Sequence, residues 1–234
     1  MSLWRWGSDL LAMIYPRLCE VCGRPLVAGE RHICLHCRLD MPIVHISDFS
    51  FNELHRRMAA PGVPVCRAAS MFTYTRGGDY ARLIHAAKYY GRPVVARYLA
   101  RELSASLMPA GFFEDMTDIV PVPIHFSKRL RRGFNQTEYI ARGVADITSL
   151  PVNLKLLSMS RGHSTQTHKS VFERWLNTID IYTADMDAVS PGSHILLVDD
   201  VMTTGATMLS CAEAVIRACP TVRISVLTLA LTGN

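Results

Sequence analysis

Two adjacent carboxylates, Asp199 and Asp200, follow the aliphatic run 195–198 and precede a short loop of threonine, glycine and alanine at 203–207. Four consecutive aliphatic residues predict a strand that is buried on both faces and that ends at the acid pair. Apolar residues at helical spacing follow the loop, and a loop between a strand and a helix N-terminus is a typical anion site. We therefore expect the loop to bind a phosphate. The carboxylates suit sugar hydroxyls or a divalent cation that the phosphates also bind.

A structural interpretation of the same segment is a buried strand with an Asp-Asp turn and a threonine N-cap. The strand, the acid pair, the loop and the helix occur in the order that a phosphate site requires, which favours the functional interpretation. Gly205 also lets the backbone approach a phosphate closely. The loop lacks the GxxxxGK[ST] pattern and its lysine, so hydrolysis of nucleoside triphosphates is disfavoured.

A second stretch with possible chemistry is rich in arginine. Four basic residues lie between Lys128 and Arg132, Gly133 permits a tight backbone, and Asn135 and Gln136 open a helix. Arginine side chains and the amides of a helix N-terminus suit a pyrophosphate group. Two other interpretations stay open, namely a solvated basic loop and a loop that contacts a nucleic-acid backbone.

Four cysteines near the N-terminus form two CxxC pairs, Cys19 with Cys22 and Cys34 with Cys37. Four thiolates in this pattern can close a tetrahedron around zinc, and because no coordination position stays open, the role should be structural. Reversible disulfides are the alternative, although a single redox pair would not need a second copy. The other three cysteines lack such spacing and are expected to be buried apolar thiols.

Composition limits the class of protein. The chain has 234 residues, 49% of them hydrophobic, and a net charge of +5, which fits one α/β core with a small accessory module and either polyphosphate or nucleic-acid ligands. Seven cysteines, an odd number, argue against a secreted disulfide framework. A reducing cytoplasm is therefore the expected compartment. No apolar run approaches the roughly 18 residues that span a bilayer. A short amphipathic helix beginning at Ser8 or Asp9 is expected to pack onto the cysteine module, with membrane contact as the alternative.

Strand and helix patterns alternate along the rest of the chain, which predicts βαβ units, a mainly parallel sheet and a ligand at the carboxyl ends of its strands. The predicted strands are 65–74, 118–123, 152–159, 177–182, 195–198 and 221–231. The predicted helices are 79–90, 94–107, 135–147 and 208–216. The predicted organisation is an N-terminal helix and cysteine module in 1–45, a connector in 46–64 and an α/β domain in 65–234.

The acid pair and its loop resemble the signature that type I phosphoribosyltransferases use to bind 5-phosphoribosyl-1-pyrophosphate (PRPP). The resemblance implies their α/β fold, to which the cysteine spacing adds a small four-cysteine zinc ribbon at the N-terminus. It implies that Asp199 and Asp200, the expected catalytic residues, contact the ribose of PRPP, which binds with Mg²⁺. It also implies that a loop holds the 5′-phosphate, and this loop consists of Thr203, Thr204, Gly205, Ala206 and Thr207.

The order of the motifs resembles the ComF/GntX family, phosphoribosyltransferase-like proteins linked to DNA uptake in natural competence and to the use of external DNA. The likeness runs from about Tyr15 to Thr228 and includes the CxxC pairs, KYYG at 88–91, VPVP at 120–123, RGFNQ at 132–136 and the acid-pair signature. It implies a pyrophosphate side made of Lys88, Arg132, Gly133, Asn135 and Gln136. Type I enzymes also carry a mobile hood, and Arg161 and Gln166 match its spacing. Lys88 as a plain surface lysine, and the hood as an ordinary surface loop, are the structural alternatives.

Three functions are compatible with these motifs. The first is a competence-associated phosphoribosyltransferase in which a nucleobase displaces pyrophosphate from PRPP. The second is a non-catalytic sensor of PRPP or a nucleotide, whose zinc ribbon docks onto a DNA-uptake helicase or translocase. The third is a single-stranded-DNA binder that uses the arginine stretch. Intact acid and hood residues favour the first two, and no residue is an obvious element for recognising a base.

Overall fold

A four-stranded parallel sheet forms the centre of the molecule, in the strand order β1-β6-β5-β2. The computed structural model describes residues 16–60, 62–89, 91–159 and 181–233. The sheet strands are β1 (Val65–Tyr74), β2 (Asp118–Pro121), β5 (His194–Met202) and β6 (Arg223–Thr232). A small antiparallel sheet pairs β3 (Leu157–Met159) with β4 (Tyr182–Ala184).

Helices cover both faces of the parallel sheet. They are α1 (Leu35–Leu39), α2 (Glu53–Arg57), α3 (Ala81–Tyr89), α4 (Pro93–Leu107), α5 (Phe126–Arg132), α6 (Gln136–Thr148) and α7 (Ala206–Ala218). Buried residues of α3, α4 and α6 pack on one face of the sheet, and those of α2 and α7 pack on the other. The predicted mainly parallel sheet with flanking helices is therefore confirmed. No helix within the described ranges has the length and apolar character needed to cross a membrane.

Strand β5 is longer than predicted and does not end at the acid pair. It continues to Met202 because β6 stays paired with it, Asp199 lying opposite Thr228 and Met202 opposite Leu231. Since side chains alternate between the faces of a strand, the two acids point to opposite sides of the sheet. Asp200 shares its face with helices α3, α4 and α6, and Asp199 shares its face with α7.

The arginine stretch is not the loop that two of its interpretations assume, because its residues form helix α5. The ring of His125 caps its start by accepting a hydrogen bond from the amide of Ser127 at 3.2 Å. At its end, the amide of Gly133 donates to the carbonyl of Arg129 at 2.7 Å, with φ at +80°. No residue of α5 is buried, and a helix of seven residues is too short to show a clear apolar periodicity in the sequence.

Other differences from the predicted elements are small. The predicted strand 152–159 becomes a parallel bridge between Val152 and Ile119, followed by the short strand β3. The predicted strand 177–182 overlaps β4 only at Tyr182, and residues 177–180 lie outside the described ranges, as does the helix expected after Ser8 or Asp9. The segment 46–64, predicted as a connector, contains α2, whose Leu54 is fully buried in the core beside α7.

The cysteine-containing segment 16–45 packs on helices α3 and α4. The hydroxyl of Tyr80 donates to the carbonyl of Cys37, and the Arg82 guanidinium donates to the carbonyl of Val21, both at 2.8 Å. Buried Cys19, Cys34 and Cys37 belong to the same apolar cluster as the inner faces of α3 and α4. This segment is therefore continuous with the core that supports Lys88 at the end of α3.

Candidate phosphoribosyl site

Three side chains from three helices converge on Asp200 at the carboxyl end of β5. The Lys88 ammonium, at the end of α3, lies 2.9 Å from one carboxylate oxygen. The Gln136 amide, at the start of α6, donates to the other oxygen at 2.8 Å. Arg132, at the end of α5, donates in turn to the Gln136 carbonyl oxygen at 2.8 Å. The structure thus brings together three residues that the family resemblance assigns to the pyrophosphate side.

The cations of this group are largely withdrawn from solvent. The side chain of Lys88 is 22% exposed and that of Asp200 is 5% exposed, which contradicts the interpretation of Lys88 as a plain surface lysine. Burial disfavours the ammonium, but the charges of Asp200 and Asp199 outweigh that effect and raise the pKa of Lys88. The Arg132 guanidinium lies 5.0 Å from the ring centroid of Tyr89. The Nε of Arg132 is buried and, among the described residues, has no hydrogen-bond partner.

The surroundings of Asp199 destabilise the negative charge of its carboxylate. Its carboxylate accepts a hydrogen bond from the Asp200 amide at 2.8 Å. Burial, followed by the charge of Asp200, raises the pKa of Asp199 to about 7. A carboxyl group held in this way gains from a partner that donates hydrogen bonds or brings positive charge, such as a sugar hydroxyl or a divalent cation.

The loop 203–207 connects β5 to helix α7 and faces solvent. Four of its five residues are exposed, and Gly205 is buried. Gly205 is the N-cap of α7 with φ at +83°, and the hydroxyl of Thr204 accepts from the Ala206 amide at 3.4 Å. Because the first amides of a helix have no partner within the helix, the N-terminus of α7 presents donors and a positive dipole end to this loop.

Arg57 of α2 fixes the loop from behind, a role that the sequence analysis missed. Its guanidinium donates to the Thr203 carbonyl at 2.5 Å, and to the hydroxyl and carbonyl of Thr232 at 2.8 and 2.7 Å. Glu53 accepts from Arg57 Nε at 3.0 Å. The contact joins α2 to the start of the loop across 146 residues of sequence, so no local pattern could have shown it.

Two of the residues expected at the pyrophosphate side, Asn135 and Gly133, hold neighbouring residues in position. The amide nitrogen of Asn135 donates to the carbonyl of Val122 at 3.2 Å, and its side-chain oxygen caps α6 by accepting from the Thr137 amide at 3.2 Å. Gly133 ends α5 and turns the chain toward α6. Both therefore position Arg132 and Gln136. The hood residues Arg161 and Gln166 lie outside the described ranges.

The four cysteines of the two CxxC pairs form one cluster, which confirms the predicted grouping. Their sulfur atoms all lie within 4.8 Å of one another, and Cys22 Sγ is 3.7 Å from Cys34 Sγ. A zinc ion with four sulfur ligands at about 2.3 Å would set sulfur atoms about 3.8 Å apart. The cysteines are free thiols, and the backbone amide at Arg24 contributes most to lowering the pKa of Cys22 to about 6. The cluster can hold a tetrahedral metal such as zinc.

The chain is similar over most of its length to proteins named for DNA utilization and for competence. It is 29% identical to DNA utilization protein YhgH of Salmonella typhimurium over 88% of this chain and 87% of that protein. It is 22% identical to competence protein ComFC of Bacillus subtilis over 94% of this chain and 80% of that protein. These relatives confirm the resemblance that the motifs predict. No protein-family model matches the chain.

Solved phosphoribosyltransferase structures are also similar to part of the chain. The glutamine PRPP amidotransferase of B. subtilis, complexed with ADP and GMP, is 20% identical with a TM-score of 0.41. The alignment covers 61% of this chain and 30% of the amidotransferase, so the chain corresponds to less than a third of that protein's length.

Proposed function

We propose that this chain binds Mg-PRPP at the carboxyl edge of its parallel sheet. The observation that carries the proposal is the convergence of Lys88, Gln136 and, through Gln136, Arg132 on Asp200, next to an exposed phosphate-type loop. Cations, carboxylates and open helix amides are the groups that a sugar carrying both a phosphate and a pyrophosphate requires. In this assignment the loop 203–207 holds the 5′-phosphate and the acid pair holds the ribose.

The reaction that suits this arrangement is displacement at the anomeric carbon of PRPP. The bond from C1′ to the pyrophosphate oxygen breaks, and a bond to a nitrogen nucleophile forms. Arg132 and Lys88 neutralise the departing pyrophosphate, and Asp199 and Asp200 balance the positive charge that develops on the sugar. The Asp199 carboxylate would hold Mg²⁺, which would supply further neutralisation of the leaving group.

The wider role that we propose is in DNA uptake or the use of external DNA, as the names of the relatives indicate for those proteins. In this role the chain works in the cytoplasm, where a reducing environment keeps the four metal-binding thiols reduced. We assign zinc to the cysteine cluster, where it stabilises the segment packed on α3 and α4. The expected macromolecular partner is a helicase or translocase of DNA uptake.

A second candidate function, binding of single-stranded DNA, has one observation in its favour. Helix α5 exposes Phe126 and Leu130, at 56% and 74%, next to its basic residues. An exposed ring beside cations suits bases and backbone phosphates. This surface shares Arg132 with the proposed pyrophosphate side, so a change at Arg132 does not distinguish the two functions. The acid pair does, because the proposed PRPP binding requires it and DNA binding by this surface does not.

Calorimetric titration of Mg-PRPP tests the proposal. We expect the zinc-loaded wild-type protein to bind Mg-PRPP, and the double variant Asp199→Asn/Asp200→Asn to bind it about 100-fold more weakly, a loss of about 2.7 kcal/mol. Asp187→Asn, which removes an exposed acid remote from the site, should bind as the wild type does. Absence of binding to folded wild-type protein would overturn the proposal. Salt-sensitive DNA binding that survives in the double variant would then favour the second function.

A further inference from the structure

A cavity of about 500 Å³ opens beside the acid pair at the carboxyl ends of β1, β5 and β6. Its walls combine flat and apolar surfaces with hydrogen-bond donors. His85 and Tyr89 come from α3, Val201 from β5, and Thr75 and Arg76 from the turn after β1. Lys88 lines the cavity and also contacts Asp200. The cavity therefore adjoins the proposed ribose site directly.

We propose that this cavity takes the acceptor of the phosphoribosyl transfer, and that the acceptor is a flat nitrogen heterocycle carrying ring oxo groups. The inference rests on the proposed function, because it assigns the second substrate of the same reaction. No residue pattern in the sequence indicates the cavity, since its walls come from segments that lie far apart in the chain.

The strand order places the cavity where the nucleophile is needed. Arg132 and Gln136, two of the three residues assigned to the leaving pyrophosphate, follow β2, which pairs with one side of β5, whereas β6 and β1 lie on the other side. Lys88, the third, contacts Asp200 and lines the cavity, so it lies between the two sides. A nucleophile attacks the anomeric carbon from the side opposite the leaving group. As the C1′–oxygen bond to pyrophosphate breaks, a ring nitrogen in the cavity forms the new C1′–nitrogen bond. The proton of that nitrogen passes to water.

The size and walls of the cavity suit a single ring system. Its volume lies within the range of about 300–1,000 Å³ that is usual for small-molecule sites. The rings of His85 and Tyr89 stand edge to face, with centroids 5.9 Å apart and planes at 84°, and Val201 adds an aliphatic surface. An aromatic ring gains from such flat and apolar neighbours.

The polar groups of the wall favour oxo groups on that ring. Among the described residues, the exposed guanidinium of Arg76 has no hydrogen bond or ion pair, and Thr75 and Thr203 supply hydroxyls. The described lining contains no carboxylate side chain. A guanidinium group donates hydrogen bonds and cannot accept them. A carbonyl on the ring can therefore accept a hydrogen bond from Arg76, whereas an exocyclic amino group, which donates, cannot bond to it in this way.

Nucleoside monophosphates in matched pairs test this inference by calorimetry. IMP carries an oxo group where AMP carries an amino group on the same purine ring. UMP and CMP differ in the same way on a pyrimidine ring, and ribose 5-phosphate lacks the ring. We expect at least one oxo nucleotide, IMP or UMP, to bind about tenfold more tightly than ribose 5-phosphate and to exceed its amino counterpart. Thr75→Trp, which fills the cavity from the exposed turn, should remove this advantage and leave the affinity for ribose 5-phosphate within about twofold.

Arg76→Gln should reduce the preference for the oxo nucleotide, and Lys155→Gln, which removes an exposed cation outside the cavity, should not. If Mg-PRPP binds but no nucleotide exceeds ribose 5-phosphate, the cavity assignment is wrong and the proposed function stands. If the oxo advantage persists in folded Thr75→Trp and Arg76→Gln, the ring lies elsewhere, which also overturns the assignment. If Mg-PRPP itself does not bind, both fall together.

Discussion

The ammonium of Lys88 lies 2.9 Å from the carboxylate of Asp200, and this contact joins the end of α3 to the carboxyl end of β5. Because α3 also supports the cysteine segment and lines the cavity, one ion pair connects three parts of the molecule. The cysteine segment is therefore joined to the end of α3 that carries Lys88 through the packing of this helix.

Removing the Lys88 ammonium should lower the free energy of unfolding. In Lys88→Met the buried Asp200 keeps its charge without the ammonium, and we expect a loss of about 2–4 kcal/mol in the free energy of unfolding. The double variant Lys88→Met/Asp200→Asn should recover much of that loss. Arg101→Met breaks a more exposed ion pair, Arg101 with Asp146, and should cost less than about 1 kcal/mol. Similar losses for the two single variants in urea unfolding would contradict a special role for the pair.

Arg57→Gln should weaken the binding of Mg-PRPP and have a smaller effect on the free energy of unfolding. The substitution removes charged hydrogen bonds that tie the loop to the end of β6, so we expect about a tenfold higher Kd for Mg-PRPP. Arg56→Gln is the matched control, because Arg56 is exposed and pairs only with Glu53 among the described carboxylates. Calorimetry on both variants separates the two positions. Equal Kd values for them would show that the loop does not depend on Arg57.

The close approach of the Arg57 backbone to the loop makes Gly205 intolerant of a side chain. A Cβ at Gly205 would lie 2.5 Å from the Arg57 carbonyl oxygen, and its φ is already +83°. Gly192 has a similar φ of +77° but nothing within 4 Å of a Cβ, so Gly192→Ala measures the conformational cost alone, about 1–2 kcal/mol. We expect Gly205→Ala to lose more stability than Gly192→Ala in thermal unfolding. Equal losses would mean that α2 moves away without cost.

The sequence predicts the site best where its chemistry is concentrated in one short stretch. The acid pair and the loop lie within nine residues, and their residue types and order are sufficient for a prediction. Nothing local distinguishes Arg57 from Arg56, since only the tertiary contact with Thr203 and Thr232 does so. The length of β5 was missed for a related reason. Aspartate disfavours strands, but pairing with β6 overrides that preference.

Cys34→Ser should destabilise the chain and remove its metal. Cys34 is buried in the cluster and in the core beside α3 and α4, so loss of a ligand removes both metal binding energy and packing. We expect a clear fall in Tm and in zinc content, with Mg-PRPP binding retained by the fraction that stays folded. Cys66→Ser, outside the cluster, is the control. An unchanged Tm and metal content in Cys34→Ser would refute a structural metal.

The raised pKa of Asp199 should make the stability of the unliganded protein depend on pH. The carboxyl group has a pKa of about 7 in the folded protein and about 3.9 when unfolded. Between these values the folded protein holds a proton that the unfolded chain has lost, so the stability contributed by this group falls as pH rises. Its contribution is intact below pH 4 and is lost once pH exceeds 7.

Asp199→Asn removes this titration, and comparison with the wild type therefore isolates the contribution of Asp199. We expect the variant to gain about 1–3 kcal/mol in the free energy of unfolding, relative to the wild type, between pH 4.5 and pH 8. Asp187→Asn, an exposed acid, should show no such relative change. Urea unfolding at several pH values measures the difference. A constant difference between Asp199→Asn and wild type across this range would show that Asp199 is already ionised at low pH, and that its partners offset its charge without a ligand.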